Sequence, residues 1–291
     1  MARRFRSCGS RFSVAHIMFA LLSLVAAHAQ DDRRTGQVPD LNRLDLVRAS
    51  DSDGYKGAPR QGTPAAQADD LRKLVKTRAT SYEAMDDWDR AEAEYNALVE
   101  MQPIDPMAYI ERGYFHMRQG RFDAAMRDFI TGSRLAPTQS AFSFGAGRAL
   151  ARMGDHSAAI RQYDEALRLT PNDSAAVLSR AEAYAQIGMY AQARADFDRA
   201  IALGPRNETD RFFAYFGRGY ANIRLGDDVG AIRDLDIALS MRPRMTYALV
   251  WRGYARERLG QRGQALSDYE LALQANPDDN WIRSSIRRVR T

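Results

Sequence analysis

Cysteine and histidine are scarce in this 291-residue chain. The one cysteine, Cys8, lies close to the amino terminus, so the chain cannot form an internal disulfide and residues 9–291 offer no thiol nucleophile. Of the four histidines, only His116 and His156 lie beyond residue 28, and they are 40 residues apart. Because no catalytic triad or metal cluster can be assembled from this set, we predict no enzymatic activity, no metal and no cofactor.

The sequence also lacks an apolar run long enough to span a bilayer. The longest, Val14 to Ala27, would cover about 21 Å as a helix, against about 30 Å of hydrocarbon. It follows an arginine-rich start and precedes Ala27-His28-Ala29, which is typical of a cleavage site. We therefore predict a signal peptide at residues 1–29 and an exported protein, periplasmic or secreted. An uncleaved signal that anchors the chain to the membrane is the alternative.

The net charge is close to balanced once this segment is set aside. The formal charge is +5, but four arginines and no acid lie within the first 29 residues, so the remainder carries only +1. This balance argues against nucleic acid as a partner. Residues 30–68 are rich in Asp, Arg, Gly, Pro and Gln and have no apolar period, which predicts a disordered tether.

Beyond the tether, prolines recur at a fixed interval. They stand at positions 103, 137, 171, 205, 243 and 277, at intervals of 34 residues with a single interval of 38. This period defines six repeats: 72–105, 106–139, 140–173, 174–207, 212–245 and 246–279. The long interval reflects four inserted residues, 208–211. Because four residues make about one helical turn, the insertion is expected to extend the first helix of repeat five without rotating its packed face.

Within each repeat, counted from its first residue, certain positions hold one residue type. Position 8 is always Gly or Ala and position 20 is always Ala, as two closely packed helices require. Position 24 is aromatic except for Leu235, and proline at position 32 ends the second helix. Glycine at position 15 ends the first helix in repeats two to six, whereas repeat one has Asp86 there, so its first helix is expected to run on or fray.

These positions resemble the tetratricopeptide repeat (TPR), and the resemblance covers residues 69–279. It implies an all-α fold: a right-handed α-solenoid of six helix pairs with a concave groove that binds protein. Residues 280–291 are predicted to form a capping helix, with Asn280 as its N-cap and Trp281, Ile282, Ile286 and Val289 as its apolar stripe.

Charged residues at positions 7 and 23 occur together. Arginine at position 7 accompanies an acid at position 23 in five repeats, and in repeat three both are absent, replaced by Ala146 and Gln162. Joint presence and joint absence predict a salt bridge between the two helices of a repeat, because an unpaired half-buried charge is costly. A solvated coincidence is the alternative.

In the family, positions 2, 5, 9, 12 and 13 of the first helix line the groove. Here they combine aromatic residues with arginine, a composition typical of protein-binding hot spots. The predicted partner-binding residues are Tyr114, Arg118, Phe144, Arg148, Arg152, Phe213, Phe216, Tyr220, Arg224, Tyr254 and Arg258. Four of them form an arginine ladder at position 13: Arg118, Arg152, Arg224 and Arg258. Because 39 of the 42 basic residues are arginine, composition alone is an alternative explanation of the ladder.

Taken together with the predicted signal peptide and the lack of catalytic residues, the resemblance predicts an exported, non-enzymatic adaptor that holds a protein or an extended peptide in its groove, in envelope assembly, secretion or trafficking. The arginines favour an acidic partner, with two acidic clusters separated by an apolar stretch that docks on Phe213, Phe216 and Tyr220. A glycan-binding accessory subunit of an envelope polysaccharide or peptidoglycan machine is the alternative.

Overall fold

The structure, a computed structural model, describes residues 64–291, with side chains from residue 69. The predicted signal peptide and the tether up to residue 63 lie outside this part. The regular structure of residues 64–291 is entirely α-helical. The helices are α1 (Pro64–Ala84), α2 (Trp88–Met101), α3 (Pro106–Arg118), α4 (Phe122–Leu135), α5 (Ser140–Met153), α6 (His156–Leu169), α7 (Ser174–Gln186), α8 (Tyr190–Leu203), α9 (Glu208–Leu225), α10 (Asp228–Met241), α11 (Thr246–Arg258), α12 (Arg262–Ala275) and α13 (Asn280–Arg290).

The described part of the chain divides into two compact units, residues 64–108 and 109–291. In the first unit α1 packs against α2 as the helix pair of repeat one. An ion pair between Arg78 and Glu94 joins the two helices, and Arg72 Nη1 donates to Asp105 Oδ2 at 2.6 Å. Because α1 begins at Pro64, the prediction of a tether is wrong for residues 64–68, which are helical.

In the second unit each helix from α4 to α13 packs against the next one in the chain. First helices also contact each other, α5 with α7, α7 with α9 and α9 with α11. The predicted repeats coincide with successive helix pairs, so the fold class is confirmed: an all-α solenoid of helix pairs that ends in a capping helix. The small residue at position 8 is required where predicted, since a Cβ on Gly147 would lie 2.6 Å from Cε1 of Tyr163.

Left-handed residues end the first helices. The glycines at position 15 have φ between +70° and +89°, as predicted. In repeat one Asp86 takes the same role with φ +56°. The expectation that α1 runs on past this point is therefore wrong, because aspartate is one of the few residues besides glycine that enter this region. The helix ends at Ala84.

The predicted salt bridges between positions 7 and 23 form in all five repeats that carry both charges. In repeats two, four, five and six the arginine makes two or more hydrogen bonds to an aspartate that is buried in the second helix. The shortest distances are 2.7 Å for Arg112 and Asp128, 2.7 Å for Arg180 and Asp196, 2.6 Å for Arg218 and Asp234, and 2.6 Å for Arg252 and Asp268. Each pair ties together the two helices of one repeat.

Three of these arginines also contact an acid of the preceding repeat. Nη1 of Arg180 donates to Asp164 at 2.7 Å, and Arg218 and Arg252 contact Asp198 and Asp236 in the same way, at 2.6 and 2.7 Å. All three acids stand at position 25. The hydrogen bonds to Asp196 and Asp164 raise the pKa of the Arg180 guanidinium, against the opposing effect of burial. Repeats are therefore joined to each other as well as internally.

The four inserted residues lengthen one helix, as predicted. Helix α9 has 18 residues, whereas the other first helices of the second unit have 13 or 14. Asn207 caps it, its Oδ1 accepting from the backbone N–H of Asp210 at 2.8 Å. Because α9 still contacts α7, α8, α10 and α11, the stack continues across the insertion.

The last helix, α13, packs its apolar stripe on α12. Ile282, Ile286 and Val289 are buried, as predicted. The predicted N-cap is off by one residue: the cap is Asp279, whose Oδ1 accepts from the backbone N–H groups of Trp281 and Ile282. An aspartate caps at least as well as asparagine, which explains why the helix begins earlier than expected.

Candidate functional site

The predicted partner-binding residues lie on the first helices of repeats two to six, α3, α5, α7, α9 and α11. We call the side chains at positions 2, 5, 9 and 13 of these helices the first-helix face. Contacts between successive first helices make this face continuous from α5 to α11. Its members differ in exposure and in what they contact, so they separate into three groups.

The first group surrounds Arg148. Its guanidinium carbon lies 5.7 Å from the ring centre of Tyr114 and 5.8 Å from that of Phe144. Arg148 is exposed, both rings are partly buried, and among residues 69–291 no carboxylate lies within ion-pair distance of it. A cation held over two rings combines a fixed charge with a flat apolar surface. We call Arg148, Tyr114 and Phe144 the Arg148 platform.

Glu182 occupies the corresponding position of the next repeat, position 9 of α7. Burial raises the pKa of its carboxyl to about 7, the carboxylate of Asp210 acts in the same direction, and Arg148 partly offsets both. Asp210 belongs to the inserted turn of α9 and pairs with Arg206 at 2.8 Å. Sequence reasoning placed Glu182 on this face but did not select it. The one signal in the sequence for Glu182 is the insertion at residues 208–211, because it places the carboxyl of Asp210 near that of Glu182.

The second group is the arginine ladder at position 13, and three of its members are engaged with the preceding repeat. The guanidinium of Arg152 lies 5.2 Å from the ring centre of Phe122, and that of Arg224 lies 4.3 Å from the ring centre of Tyr190. Arg258 pairs with Asp228 at 3.1 Å. Phe122, Tyr190 and Asp228 all stand at position 17, the start of the second helix.

The binding role predicted for the arginine ladder stays a prediction, and these contacts give the three arginines a structural role as well. Arg224 also donates to the hydroxyl of Tyr220 at 2.8 Å, and Arg258 donates to the carbonyl of Ile223 at 3.2 Å. Their charges and donors are used between repeats, which explains why they recur at one position. All four arginines of the ladder, including Arg118, are exposed.

The third group is the aromatic surface expected to dock an apolar stretch, and it is buried. Phe213, Phe216 and Tyr220 are only 9%, 3% and 7% exposed. The Phe216 ring stacks on Phe212, with ring centres 5.8 Å apart and planes at 8°. The prediction that these side chains form an open docking surface is wrong, because packing within the array buries them; Tyr220, for example, contacts Tyr190 of α8 and Trp251 of α11.

Tyr220 and Tyr254 belong to one aromatic cluster between repeats five and six. The ring centre of Trp251 lies 5.0 Å from that of Tyr220 and 5.9 Å from that of Tyr254. Tyr254 is partly exposed and retains a surface that a ligand can reach. The cluster thus stabilises the contact between α9 and α11 and leaves one edge available.

Two further features bear on the type of site. Within residues 64–291, no group of three or more His, Cys, Asp or Glu side chains is arranged to hold a metal ion. In the same part of the chain, every helix falls short of the length and apolar character that a bilayer crossing requires.

The helix pairs, their left-handed turns and the first-helix face define a repeat protein of the α-solenoid class. The sequence profile of the tetratricopeptide repeat matches residues 76–140, 144–208 and 216–280, more than half of the chain. Each match spans two repeats in the predicted phase, and the inserted residues fall at the second boundary. The chain therefore belongs to the tetratricopeptide repeat family.

Solved structures agree on the fold. The Cut9–Hcn1 hetero-tetramer of the APC/C is similar with a TM-score of 0.64 at 16% identity, over 77% of this chain but only 45% of that one. PilW, a widely conserved type IV pilus biogenesis factor, has a TM-score of 0.62 at 17% identity, over 76% of this chain and 99% of that one. YrrB, a TPR protein with an unusual peptide-binding site, has a TM-score of 0.57 at 16% identity, over 68% and 98%. No curated protein is significantly similar in sequence.

Proposed function

We propose that this protein is a non-enzymatic adaptor that binds a protein or an extended peptide on the first-helix face, at the Arg148 platform and Glu182. The observation that carries the proposal is the exposed guanidinium of Arg148, held over the rings of Tyr114 and Phe144 without a carboxylate partner. An acidic side chain of the partner pairs with Arg148, and an adjacent apolar side chain packs on the exposed parts of the two rings.

The family and its structures support the class of function. YrrB is described as having a peptide-binding site and PilW as a pilus biogenesis factor, and the first of these supports a peptide as the partner here. The acidic character of the partner is argued from Arg148, which lies over two rings and has no carboxylate partner among residues 69–291; Arg152 and Arg224 each lie over a ring of the preceding repeat, and Arg258 pairs with Asp228.

The test compares two charge reversals in the same repeat. Arg148→Glu places an acid on the platform, whereas Arg161→Glu reverses an exposed arginine on the second helix, α6. Partners captured from cell extract by the unaltered chain are identified, and their affinity for both variants is measured. We expect Arg148→Glu to weaken binding tenfold or more and Arg161→Glu to leave it unchanged. Equal effects of the two reversals would refute the platform as the site.

We further propose that the chain is exported and works in envelope assembly, secretion or trafficking. The support is the pattern of residues 1–29, an arginine-rich start, a short apolar run and an A-x-A-like end. The test is cell fractionation of the full chain together with amino-terminal sequencing of the recovered protein. A mature form that begins at Gln30 is expected; recovery of the uncleaved chain from the cytoplasm would contradict the proposal.

A further inference from the structure

A polar cleft of about 490 Å³ lies between repeats four and five, away from the first-helix face. The second helices α8 and α10 supply most of its lining, including Arg194, Asp198 and Asp234. Helix α9 contributes Arg218 and Asn222. None of the predicted partner-binding residues lines this cleft, so it is independent of the proposed function.

One buried polar atom in the cleft lacks a hydrogen-bond partner. Asn222 is 5% exposed, and its Nδ2 donates to Oδ2 of Asp234 at 3.1 Å. Because a carboxylate only accepts, this bond fixes the orientation of the amide and turns Oδ1 away from Asp234. Oδ1 is buried and accepts no hydrogen bond from residues 69–291. A buried acceptor without a donor is costly, so Oδ1 of Asn222 is left in need of one.

The next repeat contains the missing group. Asn222 stands at position 11, and the same position of repeat six is Arg256. Nη1 of Arg256 donates to Asp268 at 2.8 Å, and its Nη2 lies 3.7 Å from Asp236. These two acids correspond to Asp234 and Asp198 in the cleft.

The cleft and the corresponding site one repeat later therefore each contain an equivalent pair of carboxylates. They differ in the side chain at position 11, which lies next to that pair. Arg218 donates to Asp198 and Asp234 in the cleft, just as Arg252 donates to Asp236 of repeat five and Asp268 of repeat six. Only the second guanidinium, that of Arg256, has no counterpart in repeat five. Position 11 is Tyr, His, Leu, Tyr and Arg in the other repeats, so Asn222 is the smallest residue at this position, and the cleft lies where the larger side chains would extend.

We propose that this cleft binds the side chain of an arginine from a partner protein, whose guanidinium donates to Oδ1 of Asn222 and to the carboxylate of Asp198. Three arginines and three aspartates line the cleft, so their formal charges cancel. A bound guanidinium therefore gives the occupied cleft one excess positive charge. Arg194 and Arg233 are exposed and form no ion pair with residues 69–291. They pair with acidic residues next to the partner's arginine. The recognised segment is thus an arginine flanked by Asp or Glu.

The test uses three small probes with the full chain. N-acetyl-arginine amide carries the guanidinium, N-acetyl-citrulline amide replaces it with a neutral group of the same shape, and N-acetyl-lysine amide carries a different cation. Isothermal titration gives the affinities, and the side-chain amide resonance of Asn222 reports the location. We expect the arginine probe to bind at least fivefold more tightly than either control and to shift that resonance. Equal affinities, or no binding at millimolar concentration, would overturn the proposal and leave a water-filled cleft.

Variants that fill the cleft provide the second arm. Asn222→Arg copies repeat six and Asn222→Leu copies Leu150 of repeat three, so both introduce a residue that this fold accepts at position 11. Each should abolish binding of the arginine probe while helicity is retained. The reverse change, Arg256→Asn, should open a second cleft and raise the stoichiometry from one probe to two. Binding that survives both fillings would show that the probe lies elsewhere and would refute the assignment.

Discussion

Removing Arg180 should destabilise the protein mainly because it leaves a buried acid behind. Arg180 donates to Asp196 at 2.7 Å, and the side chain of Asp196 is only 10% exposed. An unpaired buried carboxylate costs about 3–5 kcal/mol, and the residual exposure of Asp196 favours the lower end, about 3 kcal/mol. We therefore expect Arg180→Ala to lower the free energy of unfolding by about this amount.

The chain itself provides the compensating change. Repeat three has Ala146 and Gln162 at the two positions, so the double variant Arg180→Ala with Asp196→Gln copies a repeat that folds without the pair. Because the buried charge is then gone, the double variant should cost only about 1–2 kcal/mol, less than Arg180→Ala alone. The predicted coupling between the two positions is at least about 1.5 kcal/mol.

The assay is urea unfolding followed by far-UV circular dichroism, with equal slopes across the variants as the condition for comparing free energies. Asp164→Ala is the matched control, because it removes the contact of Arg180 with the preceding repeat at a side chain that is 50% exposed. It should cost less than about 1 kcal/mol. If the double variant loses as much as the two single variants together, the positions are not coupled and the argument from joint absence fails.

Three further predictions concern single residues. Glu182→Gln removes a carboxyl whose pKa is raised to about 7 from an ordinary value of 4.5, so the folded state holds this proton more tightly than the unfolded chain does. The unaltered protein should therefore lose up to about 3 kcal/mol of stability as the pH rises from about 4.5 to 7, and the variant should not. Thermal melts across this pH range measure the difference, and parallel curves for the two proteins would refute the shift. Gly147→Ala brings a Cβ within 2.6 Å of the Tyr163 ring and should cost about 1–3 kcal/mol in urea unfolding; an unchanged midpoint would mean that the helices separate freely. Arg224→Ala loses its position 4.3 Å from the Tyr190 ring centre and should cost about 1 kcal/mol without altering partner affinity, whereas weakened binding at unchanged stability would restore the arginine ladder as a site.

The sequence was sufficient to predict what lies within one repeat. The helix pairs, their glycine turns and the pairs such as Arg112 with Asp128 follow from positions that recur every 34 residues. Each of these features depends on residues close in the chain, so the period displays them directly.

Contacts between repeats were harder to predict. Phe216 stands at a position predicted to face the groove, yet it is buried, with its ring stacked on that of Phe212. Arg224 donates to Tyr220 within its own repeat, but the ring that it lies nearest, that of Tyr190, belongs to the repeat before. Such contacts could have been found by comparing position 13 of each repeat with position 17 of the repeat before. The one later repeat without arginine at position 13 has Gln186 there, and position 17 of the repeat before it is His156 instead of Phe, Tyr or Asp.

The bridges from position 7 to position 25 of the preceding repeat also determine how the second unit resists bending. Three successive junctions carry such a bridge, whereas the junction between repeats two and three has Ile130 and Ala146 at these positions. Because salt screens partly exposed ion pairs and leaves apolar contacts largely intact, the three bridged junctions become more compliant as ionic strength rises. The unbridged junction keeps its stiffness, so the elasticity of the array is unequal along its length and changes with the ionic surroundings.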